Sequence, residues 1–221
     1  WMSAMVVDNK GRLIGVINID DVVEIVHEET NEDMMLLTGA ESNDVYRSVF
    51  SIFKSRSIWL VTNLFATIVA ASVVGEFQDI IAQLSILAVL MPIVASMGGT
   101  TGQQTLAVVV RSLATKELNS RNALRMIGKE FMVGLCNGLL FAVMIGIAVR
   151  IWFPGQEMIS YIIALAMLCN LTVASLAGIL IPLTINRLKI DPAIASGVFL
   201  IACTDSGGYF IFLGLAKLLL F

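Results

Sequence analysis

Charged side chains are scarce in this sequence. Only 14% of its 221 residues are Asp, Glu, Lys or Arg, whereas a soluble domain usually carries about 25%. Hydrophobic residues make up 57% of the chain. So little charge excludes an ordinary soluble globular domain and indicates a protein embedded in a lipid bilayer.

Histidine and cysteine are also rare. Cys136, Cys169 and Cys203 lie inside apolar stretches without the short spacing of a metal or redox motif, and we interpret them as small packing residues. The single histidine, His27, stands among acids on a predicted surface helix, where a solvated imidazole is the simplest interpretation. Neither residue type therefore offers a candidate site.

Long apolar runs dominate the rest of the chain. At a rise of 1.5 Å per residue, about 20 residues cross a hydrocarbon core of about 30 Å, and five segments are long and apolar enough to do so. Their predicted limits are about 57–76, 80–112, 124–152, 157–186 and 192–220. The predicted fold is an all-α polytopic membrane protein with five transmembrane helices per subunit.

Lys and Arg residues predict the orientation of these helices. The loops 76–79 and 153–157 contain neither residue type. The loops on the other side contain Arg111, Lys116, Arg121, Arg125, Lys129, Arg187 and Lys189. Because positive residues concentrate on the cytoplasmic side, we predict a multi-pass protein of the cell (inner) membrane with its N-terminus in the cytoplasm and its C-terminus outside.

The N-terminal region, residues 1–42, differs in composition, since the first 44 residues hold ten acids and two bases. The pattern predicts a strand, an Asn-Lys-Gly turn, a second strand and a helix with Asp20 or Asp21 as its N-cap. These elements are too few for a core, so we expect the end of a larger cytoplasmic domain whose beginning is missing. The acids are either a solvated helix face or carboxylates that a divalent cation draws together.

A connecting segment, residues 43–56, precedes the predicted membrane domain of residues 57–221. Val45, Val49 and Phe53 recur at helical spacing, and basic residues lie beside them. This pattern predicts an amphipathic helix at the membrane surface.

Residues 91–104 combine helix-breaking and polar residues inside the second apolar segment. Pro92 and three glycines predict an interrupted helix at membrane depth, which is tolerated only where the freed backbone is buried in protein or faces water. Close helix packing by small residues is the alternative. The glycines are Gly98, Gly99 and Gly102, and the polar side chains that would line the path are Thr100, Thr101, Gln103 and Gln104.

Asp205 is the only charged residue in the apolar stretch 192–216. A carboxylate near the middle of the bilayer costs about 2.5–3.5 kcal/mol, so such a residue faces the bundle interior or water and is a functional candidate. No basic residue within the spans is placed to neutralise it, so it either keeps its proton or binds a mobile cation.

An aspartic protease is the first function to exclude. The tetrapeptide TDSG around Asp205 matches the Asp-Ser/Thr-Gly signature of those enzymes, whose chemistry needs two carboxylates that share a proton. No second acid occurs deep in any predicted span, because Glu130 lies at the cytoplasmic start of the third. A protease would need the partner's Asp205, and we expect no enzymatic activity.

Two stretches are similar to a known family. PIVASMGGTTGQQTLAVVVRSLA, residues 92–114, and DPAIASGVFLIACTDSGGYFIFLGLA, residues 191–216, closely resemble the MgtE family of magnesium channels. The resemblance extends through the connecting segment to residues 1–42, which resemble the end of the second CBS domain of that family. It covers essentially the whole chain.

The resemblance implies a homodimer with a pore on its two-fold axis, lined by the second and fifth membrane helices. It also implies that residues 43–56 are the family's plug helix and that Asp205 is the ion-selecting residue. The implied pore-lining residues are Ile201, Thr204, Gly208, Gly98, Gly99, Thr100, Gly102 and Gln103. The implied sites for a regulatory Mg²⁺ that closes the gate are at Asp20, Asp21, Glu28, Glu29, Glu32 and Asp33.

Two departures from the family pattern stand out. Thr100 occupies the position after the two glycines where the family commonly has Asn, which alters the polar groups of the filter. The N domain and first CBS domain of the family are absent from this sequence, so we expect this chain to depend only weakly on internal Mg²⁺.

The sequence is compatible with three functions. The first is a magnesium-selective channel that moves Mg²⁺ into the cytoplasm and is gated by cytosolic Mg²⁺, with the bilayer and a second copy as partners and no nucleic acid. The second is a secondary divalent-metal transporter coupled to protons or sodium, with Asp205 as proton carrier. The third is a membrane receptor without transport, in which Asp205→Ala would change no ion flux.

Overall fold

A computed structural model describes residues 2–40, 44–118 and 122–220, without the side chains of Thr30, Asp33 and Ile194. The described part has a two-stranded sheet followed by seven helices. Five of the helices are long and apolar enough to cross a membrane. The predicted all-α polytopic membrane fold is therefore confirmed.

The N-terminal elements are a hairpin and a helix, as the sequence predicts. Strands β1 (Ser3–Val7) and β2 (Leu13–Asn18) pair antiparallel, with Ser3 opposite Asn18. Asp8 closes the turn, because its carboxylate accepts the backbone N–H groups of Lys10 and Arg12 at 2.8 and 2.9 Å. The hydrogen bond from the Arg12 backbone is the main reason that the pKa of Asp8 lies below its usual value.

Helix α1 (Ile19–Leu36) begins before the predicted N-cap. Asn18 precedes the first helical residue, and the Asp21 carboxylate reaches back to accept its backbone N–H at 2.9 Å. This is the reciprocal half of a capping box, in which an acid at the third helical position satisfies the N–H of the N-cap. The prediction of Asp20 or Asp21 as N-cap was therefore wrong.

Helix α2 (Val49–Gly75) contains most of the predicted connecting segment and the first span in one continuous helix. Ser48 caps it by accepting the N–H of Ser51 at 3.4 Å. Residues 49–56 contain no Pro or Gly that would end the amphipathic part, so the helix runs on into the apolar part. Before the helix, Asp44 forms ion pairs with Arg47 and Arg56 at 3.2 and 2.8 Å, and Asn43 lies outside the described residues.

The remaining spans form a bundle around one central helix. They are α4 (Ile86–Ala114), α5 (Ala123–Trp152), α6 (Glu157–Arg187) and α7 (Pro192–Leu220). Helix α6 packs against α4, α5 and α7, and its Ile162, Ala166 and Ala174 are fully buried. Helix α2 packs on α7 and leaves Leu64 and Phe65 exposed, as suits contact with lipid.

The predicted interruption at residues 91–104 was wrong. Helix α4 is continuous from Ile86 to Ala114, and the chain breaks earlier, at Leu84 and Ser85, after a short helix α3 (Gln78–Gln83). Pro92 is the seventh residue of α4 and lacks the N–H that would bond to the Ala88 carbonyl, yet the helix continues past it. Gly98 and Gly102 instead allow close packing, which was the alternative interpretation.

Candidate functional site

Asp205 lies half-buried near the middle of α7. It is the only acid that the structure describes on this helix, and Lys217 is the only base there. Within the described residues, no hydrogen bond or ion pair engages its carboxylate. The carboxylate is therefore free to interact with something outside this single chain.

Helix α7 has two distinct faces at this level. Leu200, Thr204 and Gly208 are buried, one turn apart, and the Thr204 hydroxyl donates to the Leu200 carbonyl at 2.9 Å. Ile201 and Asp205 follow the same spacing on the adjoining half-buried stripe. Thr204 and Gly208, two of the expected lining residues, thus face the bundle, whereas Ile201 and Asp205 face its margin.

Helix α4 is divided in the same way. Gly98, Thr101, Gly102 and Thr105 are buried, whereas its other side has an exposed polar stripe. The residues of this polar stripe are Ser96, Thr100, Gln103 and Gln104. An uncovered polar surface in a membrane-spanning helix is costly against lipid, so this side of α4 requires water or a protein partner.

The hydroxyl of Thr100 is partly engaged within the polar stripe. It donates a hydrogen bond to the Ser96 carbonyl at 2.8 Å, so its lone pairs remain as acceptors. A threonine here can therefore accept a hydrogen bond from ion-bound water, although it presents no free donor. Gly99, beside it, is half-buried and has no atom within 4 Å of a Cβ built on it.

A cavity of about 290 Å³ lies between the polar stripe of α4 and the half-buried stripe of α7. Gln103 of α4 and Ile201 of α7 both line it, and Asp205 lies one helical turn beyond Ile201. The other lining residues are Met34, Leu37, Thr38, Trp59, Leu106, Ala107 and Gly197. The structure thus brings Gln103, Ile201 and Asp205 to one side of the bundle.

The acids of α1 whose side chains the structure describes are not brought together into a metal site. Asp20, Asp21, Glu28, Glu29 and Glu32 are all exposed, and the side chain of Asp33 lies outside the described residues. Among the side chains that the structure describes, no three of His, Cys, Asp and Glu come together closely enough to hold a metal ion. A regulatory cation would need ligands from another chain or segment.

Two polar residues that the sequence analysis did not select hold the membrane helices together. Asn170 of α6, only 1% exposed, donates its amide to the Val94 carbonyl of α4 at 2.7 Å. Glu130 of α5 accepts the Thr105 hydroxyl of α4 at 2.9 Å. Their signal in the sequence is an amide within one long apolar run and a carboxylate at the start of another, but their partners lie on other helices.

Comparison with known proteins supports the same family. The family model MgtE, described as a divalent cation transporter, matches residues 91–215. The magnesium transporter MgtE of Enterococcus faecalis is 33% identical over 99% of this chain and 48% of its own length. The magnesium transporters MgtE of Bacillus subtilis and Thermus thermophilus are each 30% identical over 98% and 97% of this chain. The chain spans about half the length of these relatives.

Proposed function

Because the chain belongs to the MgtE family of divalent cation transporters, we propose that it forms the conducting part of a magnesium channel. The observation that carries this proposal is the unpaired, half-buried Asp205 on the same side of the bundle as the exposed polar stripe of α4. Mg²⁺ is then the transported substrate. A second copy of the chain would cover this side and enclose the path at a two-fold axis.

Hydration chemistry explains how two such carboxylates would select Mg²⁺. The ion holds its waters reluctantly at about 2.0–2.1 Å, so a filter recognises the hydrated ion by accepting hydrogen bonds from those waters. Adding a hydrogen bond of about 2.7 Å on each side gives roughly 8–10 Å between carboxylate oxygens. Direct ligation would require about 4 Å between them.

Further acceptors are available along the proposed path. Gln103 and Thr100 offer side-chain oxygens on α4. On α7, the acceptor one turn before Asp205 is the backbone carbonyl of Ile201. Gly98, Gly102, Thr204 and Gly208 are buried between helices, so their role in this proposal is to bring α4 and α7 close together. The lining set that we propose is Gly99, Thr100, Gln103, Ile201 and Asp205.

Charge supports an inward direction of flow. The ends of α4 and α6 carry Arg111 and Arg187, and the opposite end pairs its Arg150 with Glu157 at 2.8 Å. By the positive-inside tendency, the α4–α5 and α6–α7 loops are cytoplasmic. A membrane potential of 100 mV, negative inside, favours inward movement of a divalent ion by about 4.6 kcal/mol.

The proposal is tested by Mg²⁺ flux into lipid vesicles that contain the purified chain. We expect Mg²⁺ uptake driven by its own gradient, at equal proton and sodium concentrations on both sides, in the vesicles with protein only. Uptake that appears only with a proton or sodium gradient would instead identify the coupled transporter. Absence of flux under every gradient would favour the receptor.

Regulation by cytosolic Mg²⁺ is the second part of the proposal. Leu36 and Leu37, at the end of α1, pack against α4 and α7, and the Leu37 carbonyl would lie 2.9 Å from a Cβ built on Gly197. Movement of α1 would therefore reach α7 directly. The acids of α1 repel one another until divalent ions bridge them, because the Debye length of about 8–10 Å screens them only partly.

Neutralising the acids of α1 tests this regulation. With Glu28, Glu29 and Glu32 all changed to Gln, we expect Mg²⁺ on the cytoplasmic side to inhibit flux less than in the unchanged chain. The measurement is uptake at increasing internal Mg²⁺. The matched control changes Lys10 to Gln, which alters charge away from α1. Equal inhibition in all three proteins would make these acids a solvated helix face.

A further inference from the structure

The amide of Asn170 occupies the point where α4, α6 and α7 come together. A Cβ built on Gly98 of α4 would lie 2.5 Å from the amide nitrogen of Asn170, and its three nearest atoms all belong to that side chain. A Cβ built on Gly208 of α7 would lie 3.2 Å from the same amide, again with Asn170 atoms as its three nearest. The amide is therefore held between two glycines.

The hydrogen bond of Asn170 fixes which way its amide faces. Its Nδ2 donates to the Val94 carbonyl at 2.7 Å, and a carbonyl can only accept. The Val94 carbonyl lies four residues before Gly98 and has two lone pairs, so it can accept the helical N–H and this amide together. Both Val94 and Asn170 are almost fully buried, which makes this bond well shielded from water.

We propose that Asn170 is a positioning residue that sets the separation of α4 and α7 beside Asp205, an inference that rests on the proposed function. Gly208 lies one turn from Asp205 on α7, and Gly98 lies half a turn from Thr100 on α4. A planar amide between two glycines holds these helices at the width of one side chain. The spacing between the acceptors of the filter then depends on a residue that touches neither the ion nor its waters.

The inference predicts a specific rescue. Gly98→Ala places a methyl group against the Asn170 amide and is expected to lower the apparent melting temperature by about 3–8 °C. Adding Asn170→Ala removes the three atoms nearest to that methyl group, so the double variant should melt above Gly98→Ala. The same pairing with Gly208→Ala should give a smaller rescue, because its contact is longer. The control is Gly102→Ala, whose nearest atoms belong to Leu200 and which Asn170→Ala should not rescue.

Ion selectivity distinguishes positioning from packing alone. Asn170→Leu keeps a similar volume without a donor, so we expect the protein to fold. Its uptake of Mg²⁺ relative to Ca²⁺ should fall about tenfold, which corresponds to the loss of one hydrogen bond between ion-bound water and the Asp205 carboxylate in the displaced filter. Ser175→Ala is the matched control, since this buried hydroxyl on the same helix faces Gly134 of α5. Its Mg²⁺ to Ca²⁺ ratio should stay unchanged.

The two measurements separate the failure of this inference from that of the proposed function. If the unchanged chain moves no Mg²⁺, the proposed function fails, and rescue of melting still tests whether Asn170 sets the helix spacing. The inference is overturned, and the proposed function stands, if the unchanged chain selects Mg²⁺ but two results are negative. These results are an unchanged Mg²⁺ to Ca²⁺ ratio in Asn170→Leu and no rescue of Gly98→Ala or Gly208→Ala by Asn170→Ala.

Discussion

Asp205→Asn is expected to remove most of the discrimination between Mg²⁺ and monovalent cations while leaving the fold intact. A hydrogen bond to an ionised acceptor contributes about 1 kcal/mol more than one to a neutral acceptor. Two subunits would thus lose about 2 kcal/mol of preference, or roughly thirtyfold in the flux of Mg²⁺ relative to Na⁺. The measurement is uptake of each ion into vesicles under matched gradients.

The fold should tolerate this substitution. Asparagine has nearly the shape of aspartate, and no hydrogen bond or ion pair within the described residues depends on the Asp205 carboxylate. Replacing a charge inside the membrane with a neutral amide also lowers the cost of placing this side chain there. The apparent melting temperature should therefore stay the same or rise.

Glu130→Gln is the matched control for Asp205→Asn. It removes the half-buried acid near the start of α5, but it keeps an oxygen that can accept the Thr105 hydroxyl. Thr105 lies on the buried side of α4, away from the polar stripe. Unchanged selectivity in a well-folded Asp205→Asn protein would exclude Asp205 from the filter, and an equal loss in both variants would indicate a general effect of charge.

The membrane helices could be predicted closely because bilayer thickness sets their length. The last span was expected at 192–220 and lies at Pro192–Leu220, and the fourth was expected at 157–186 and lies at Glu157–Arg187. The start of α2 could not be predicted in this way. Residues 49–56 are polar enough to lie outside the bilayer, yet nothing in them ends a helix. The apolar run therefore begins at residue 57, whereas the helix begins at Val49.

The state of residues 91–104 could not be decided from their own composition. Glycine serves an interrupted helix and a tightly packed helix equally well, since both need a residue without a side chain. The neighbours of Gly98 and Gly102 decide the outcome, and they are Asn170, Gly178 and Leu200 on α6 and α7. Asp205 could be selected as a candidate from the sequence because a charge inside an apolar span is unusual wherever its neighbours lie.

Gly178→Ala is expected to be the most destabilising of the glycine substitutions considered. A Cβ built on Gly178 of α6 would lie 2.6 Å from the Gly102 carbonyl oxygen of α4 and 2.8 Å from the Cβ of Thr105. A backbone oxygen cannot rotate away as a side chain can, so α4 and α6 would have to separate. Overpacking of this kind costs about 3 kcal/mol, which lowers the apparent melting temperature by about 6–12 °C.

The nature of the obstacle distinguishes this substitution from Gly98→Ala. Trimming Thr105 to Ser should not restore Gly178→Ala, because the closest obstacle is the backbone of Gly102 rather than a side chain. Gly128→Ala is the control, since a Cβ there has no atom within 4 Å and alanine favours a helix over glycine by about 1 kcal/mol. Melting of Gly178→Ala at the temperature of Gly128→Ala, measured for both purified proteins in detergent, would mean that α4 and α6 do not pack this closely. In that case Gly178 could not be what brings α4 and α6 together.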